Sequence, residues 1–181
     1  MTRIAPIDPS TATGDTAAHL ATARKMFGGT PNLVTTVAHS PAAAGAMLSL
    51  FANLGKASIG AKAGEQIAIA VAQSNGCGYC LSAHTAIGAM HGLAPAALAS
   101  ARQAESTDPR TAALLTLAVA INQSRGHIDD VALAAARTAG LTDAEIVEVV
   151  AHVALSVFTN YLNNVAETSI DFPEVSLTTA T

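Results

Sequence analysis

"AGEQIAIAVAQSNGCGYCLSAHTAIGAMHG", residues 63–92, decides the fold. Its first half carries the run "IAIAVA", which fits a buried strand as well as a buried helix. Alanine settles the choice. It loses no side-chain entropy in a helix, and no partner strand is found elsewhere in the chain. The second half starts near Cys77, just after Gly76, and also closes on a glycine. Two helices, 64–74 and 77–91, are therefore expected, joined by a turn of about two residues and running antiparallel. Glu65 lies ten residues before Asn75, and His84 eight after Gly76. At ~1.5 Å rise per residue both stand roughly 12–15 Å from the turn, so carboxylate and imidazole are level.

The same stretch holds both cysteines of the chain. Two cysteines scattered at random over its length fall three apart in about 1 case in 90, so the C-x-x-C spacing carries information. Cys77, Cys80 and His84 share one helix face by their three-and-four spacing. A free thiol ionises near pH ~8.5 and needs help to be a thiolate at neutral pH. The helix start favours Cys77 as the lower-pKa thiol. His84, one turn beyond Cys80 and able to take its proton, favours Cys80. With Glu65 facing His84, a carboxylate, an imidazole and two thiols converge, which is the nucleophile, base and orienter logic of covalent catalysis.

Outside this hairpin the grammar is helical from about Asp15 nearly to the end. Residues 1–14 read as an extended arm and 171–181 as an irregular tail. "TAAHLATARKMFGG" stops on glycines, and "TPNL" opens the next element with Pro31 in its first turn. Ser40 with Pro41, and Asp108 with Pro109, mark further helix starts. Thr142 and Glu145 form a capping box at the head of a long last helix, which has room for a break near its middle. The expectation is one domain, all-α, an array of about seven to nine helices around the central antiparallel hairpin.

Composition narrows the function. The 181 residues hold 9 Lys and Arg against 13 Asp and Glu, net −4, and no basic stripe, so nucleic acid is not an expected partner. The N-terminus has no apolar core of signal-peptide length. The longest apolar run, 112–121, is too short to span a bilayer. A cytoplasmic protein with no membrane partner is expected. In that compartment a close cysteine pair is more often catalytic or metal-binding than structural. Charged residues are scarce at 12%, and the apolar surface that leaves points to self-association.

The set Glu65, Cys77, Cys80 and His84 resembles the E…C-x-x-C…H core of the carboxymuconolactone decarboxylase superfamily, in its AhpD-like, alkylhydroperoxidase branch. "PNLVTTVAHSPA" before it and "GLTDAEIVEVVAHVALSVFTNYLNNVAETSIDFP" after it are similar to the flanks of the peroxidase-related members, so the likeness runs over roughly residues 28–173. It implies an AhpD-like all-α fold, assembly into dimers, trimers or hexamers, and dithiol-dependent reduction of hydroperoxides with no cofactor and no metal. It also implies Cys80 as the attacking thiol, Cys77 as the resolving thiol, and His84 with Glu65 as the proton relay. An external dithiol or a thioredoxin-like protein would be the reductant. Tyr79 departs from the histidine that some active members carry between the cysteines, and a phenol that titrates near 10 is a poor base.

Two other readings stay open on the residues. Cys77, Cys80, His84 and Glu65 are enough in number to hold zinc, although a helical C-x-x-C with Glu is an unusual set. The pair also suits a non-enzymatic redox sensor, or a dithiol protein acting on something other than peroxide. His152, on an apolar helix, reads as a core histidine, and His19, His39, His91 and His127 as capping or solvated. Asn160, Asn163 and Asn164 read as a helix terminus rich in local hydrogen bonds or as pocket lining.

Overall fold

The computed structural model describes residues 2–177. Among them are nine helices and no strand: α1 (Gly14–Phe27), α2 (Asn32–Val37), α3 (Pro41–Leu54), α4 (Ala61–Ser74), α5 (Gly78–Met90), α6 (Pro95–Ala101), α7 (Pro109–Ser124), α8 (Asp130–Thr138) and α9 (Asp143–Ala166). Residues 171–177 are irregular, as expected for the tail. Met1 of the expected arm and residues 178–181 of the expected tail lie outside the described residues.

The punctuation works as side-chain chemistry. Ser40, Asp108 and Asp129 each accept a backbone N–H three residues on, satisfying a donor that the first turn leaves unpaired. The Thr142–Glu145 capping box is complete in both directions. Two details differ from expectation. Pro31 sits at the N-cap of α2, one residue before the first turn. The last helix runs unbroken for 24 residues, because no proline or glycine interrupts it.

α4 lies at the centre, packed by α5, α6, α7 and α9. Ala63, Gly64 and the whole run Gln66–Ala72 are buried. That explains the uniform "IAIAVA": these two turns are covered on all sides, while polar residues of α4 such as Lys62, Glu65 and Gln73 fall outside them. The main core joins Ile67, Ile69 and Val71 of α4 to Leu81, Leu115 and Val149, and a second cluster holds Leu20, Met47, Leu48 and Leu155. α9 borders both clusters. By length and composition alone it is long and apolar enough to cross a membrane. Here, however, its buried side carries Glu145, Ser156, Thr159, Asn160 and Asn163, which marks a core helix. Its outer side leaves Val147, Val150, Tyr161 and Val165 exposed.

The hairpin link is tighter than a loop. Cys77 N–H donates to the Ala72 carbonyl at 2.9 Å, and Gly76 N–H to that of Gln73 at 3.3 Å. These are the paired bonds of a Schellman ending, with Gly76 at φ 64, where a side chain would be strained. Cys77 then serves at once as the N-cap of α5. The end of α4 therefore fixes where the first sulfur stands.

Candidate active site

The predicted pairing across the hairpin is present: Glu65 Oε2 lies 2.8 Å from His84 Nδ1. Their side chains are 17% and 15% exposed, so the contact is largely shielded from water. Burial alone would lower the His84 pKa, but the Glu65 charge and hydrogen bond outweigh it and hold the imidazole above its ordinary value, with Cys80 adding to the effect. His84 is thus kept ready as an imidazolium.

The two sulfurs are free thiols and fully enclosed. Cys77 Sγ accepts the Cys80 N–H at 3.4 Å. Their titrations split. The Cys80 thiol is brought down to about 6, first by hydrogen bonding from the Cys77 thiol and then, against burial, by the His84 charge and by the amides of Asn163 and Asn160. Cys77 is pushed up, first by that same bond and then by burial. The directions make Cys80 the more acidic of the two thiols. At the start of α5 the dipole would favour a Cys77 thiolate, but burial and the hydrogen bond to Cys80 act against it.

Asparagines complete the sulfur's surroundings. Asn163 Nδ2 donates to Cys80 Sγ at 3.2 Å. Asn75, in the hairpin turn, donates to Asn160 Oδ1 at 3.0 Å and exchanges bonds with Asn122, while Asn164 Nδ2 reaches the Asn75 carbonyl at 3.2 Å. This network ties α9 and α7 to the turn that carries Cys77. Sequence reading noticed the α9 asparagines but gave none of them a sulfur; their regular recurrence on an otherwise apolar helix was the available signal. Asn75, Asn122 and Asp171 were missed.

Tyr79 is not a base in the relay. Its hydroxyl accepts the Leu33 N–H at 3.1 Å and faces Asp171, burial raises its pKa well above the ordinary phenol value, and its ring packs edge-on against Phe172. His152 lies beside α4: a Cβ at residue 64 would stand 2.9 Å from its Cε1, so a larger residue there requires the imidazole to shift. Burial lowers its pKa, and its Nε2 is enclosed without a hydrogen-bond partner. Of the other histidines, His39 bonds the Ala5 carbonyl and His91 caps α5, neither near the sulfurs. Among the described residues no cluster of three or more His, Cys, Asp or Glu side chains has metal-binding geometry. Of the four groups weighed as zinc ligands, Glu65 bonds His84 and the Cys77 sulfur accepts the Cys80 N–H.

A cleft of about 60 Å³ opens beside His84. Leu33, Phe51, Ile87 and Phe172 line it, and Tyr79 and His84 supply its polar edges. It offers room for an apolar group next to the relay.

The sequence profile of the carboxymuconolactone decarboxylase family matches residues 41–107 and 94–168. The chain belongs to that family. Among curated proteins none matches it significantly. Several solved structures share the fold of this family member. A peroxidase-related protein with an alkylhydroperoxidase AhpD core from Ralstonia eutropha JMP134 is 21% identical, with 94% of this chain and 92% of that one covered at a TM-score of 0.81. A peroxidase-related protein from Silicibacter sp. TM1040 is 20% identical over 92% and 91%, at 0.78. The debrominase Bmp8, solved with 2,3,4-tribromopyrrole, is 22% identical over 94% and 92%, at 0.79. At these identities the likeness shows the AhpD-like fold alone.

Proposed function

We propose that this protein is a thiol-dependent peroxidase that reduces hydroperoxides through a Cys77/Cys80 dithiol–disulfide cycle. The supporting observation is the geometry around Cys80: its N–H lies on the Cys77 sulfur at 3.4 Å, its own sulfur accepts from Asn163 at 3.2 Å, and a Glu65–His84 pair at 2.8 Å stands one turn on, a setting that lowers the Cys80 thiol, first through Cys77 and then through His84, and raises that of Cys77. The Cys80 thiolate attacks one peroxide oxygen and the O–O bond breaks. The leaving alkoxide takes the His84 proton and departs as alcohol, while Glu65 stabilises the imidazolium until that moment. Cys80 is then a sulfenic acid. The Cys77 sulfur displaces its hydroxyl, which leaves as water with the Cys77 proton, and a disulfide forms. An external dithiol or a thioredoxin-like protein restores both thiols. Hydroperoxide and dithiol thus give alcohol, water and disulfide.

Dihydrolipoamide-driven consumption of a hydroperoxide tests this. Wild type should turn over, and Cys80→Ser and Glu65→Gln should each lose about 10²-fold or more. A wild type no faster than free dithiol sinks the reading. A second reading, reduction of another electrophile by the same dithiol, is favoured by the apolar cleft at His84. It predicts disulfide formation with a halogenated aromatic such as a brominated pyrrole and none with peroxide.

We further propose a cytoplasmic homo-oligomer, with contact between copies through the exposed apolar residues of α9, and neither nucleic acid nor membrane as partner. The scarcity of charge and the exposed α9 side chains support the self-association.

A further inference from the structure

Both sulfurs are buried, Cys77 at 0% and Cys80 at 2% exposure, yet any reaction requires one of them to meet a substrate. The apolar cleft touches α5 at Tyr79, Ala83, His84 and Ile87. At about 100° per residue these positions span an arc of about 140°, and Cys80 falls inside it. Cys80 therefore faces the cleft without lining it. Of the cleft residues on α5, Tyr79 is the one next to Cys80 in the chain, and the Phe172 ring stands against it, centroids 5.8 Å apart at 90°.

The two rings are held differently. Tyr79 is part of a helix, and its hydroxyl is fixed by the Leu33 N–H. Phe172 belongs to an irregular strap, residues 168–177, that lies along the first turns of α5. Ile170 comes within 3.8 Å of where Gly78 would carry a Cβ. One anchor precedes Phe172: Asp171 Oδ2 accepts the Asn32 N–H at 2.8 Å. The other follows it: Val175 N–H donates to Ser82 Oγ at 3.0 Å, and Arg102 Nη2 to the Ser176 carbonyl at 2.7 Å. Phe172, Pro173 and Glu174 bridge these anchors. A short irregular bridge opens at far lower cost than a packed helix.

We propose that Phe172 is a specificity-determining gate, its ring closing the way from the cleft to Cys80 and its size setting which substrates reach the sulfur. The inference rests on the thiol reading above in taking Cys80 as the sulfur that meets substrate. The gate opens when the 172–174 bridge swings out while Asp171 and Val175 stay tied.

The test uses the Cys77→Ser protein, in which Cys80 is the single remaining thiol. Its modification rate is followed with iodoacetamide, a small probe, and N-(1-pyrenyl)maleimide, a bulky one. Phe172→Ala should raise the bulky-probe rate about 3- to 10-fold, as expected from losing one aromatic edge contact, and change the small-probe rate less than about twofold. Phe172→Trp should lower the bulky-probe rate. Phe172→Leu, which keeps an apolar side chain against Tyr79, should fall between and guards against a folding failure of the alanine variant. Equal changes with both probes, or none with either, overturn the gate. Size-selective labelling with no peroxide turnover by the protein that keeps both cysteines would keep the gate and discard the peroxidase reading; turnover there with unselective labelling would do the reverse.

Discussion

Cys80 is where the residue-scale chemistry can be measured directly. Its thiol is lowered to about 6, so its thiolate fraction, and with it the alkylation rate, should be near its plateau at neutral pH and fall as the pH drops through about 6. Asn163→Ala removes a hydrogen bond to the sulfur and should move its titration up by about 1–2 pH units, slowing alkylation at pH 7 by about 2- to 10-fold; an unchanged pH profile would show that the amide is only packing. Gly64 offers a second test. A methyl there meets His152 Cε1 at 2.9 Å, and overpacking of this kind costs about 1–3 kcal/mol. Gly64→Ala should lower the denaturation midpoint, and adding His152→Ala should recover most of the loss. Some of this site was legible in the sequence. Glu65 and His84 pair because residue counts along two helices place them level. Asn163 could not be matched to Cys80 in the same way, since the two are 83 positions apart and only the packing of α9 onto the hairpin brings them together.

Elements obeyed their local signals where those signals were side-chain caps, and disobeyed them where burial decided. The α9 start is a case of the first kind. Glu145 is held below the ordinary carboxylate range, first by the Thr142 N–H, then, against burial, by the Thr142 hydroxyl and Arg110. A depressed carboxyl contributes stability above its ordinary pKa and loses it as the pH falls through the lowered value, so this cap should fail in acid. Thr142→Ala should cost about 1 kcal/mol at neutral pH, and the gap between variant and wild type should narrow as the pH falls below 4. α4 is a case of the second kind: its run Ile67–Ala72 suits a buried strand as well as a buried helix, because neighbours cover those two turns on every side. Residues 171–177 are irregular, and their contacts with α5 are invisible in the sequence, since irregular chain has no periodicity from which contacts can be inferred.

At the scale of the molecule the outer side of α9 is the conspicuous feature. Val147, Val150, Tyr161 and Val165 are each roughly half exposed or more on the helix that also supplies Asn163. If copies associate there, Val150→Glu together with Tyr161→Glu should convert the oligomer to monomer in light scattering without unfolding it. Loss of thiol reactivity in that monomer would mean that assembly steadies the α9 asparagines; retained reactivity would separate assembly from chemistry.

The order of the chain adds a temporal dimension to the strap. His84 is the last of the four site residues in the chain, and Thr168 begins the cover, 84 positions later. At ~5–20 residues per second, synthesis leaves both sulfurs made but uncovered for about 4–17 s. During that interval the nascent chain carries its most oxidisable atoms in the open, so the newly made protein is the form most vulnerable to the oxidants it is proposed to remove.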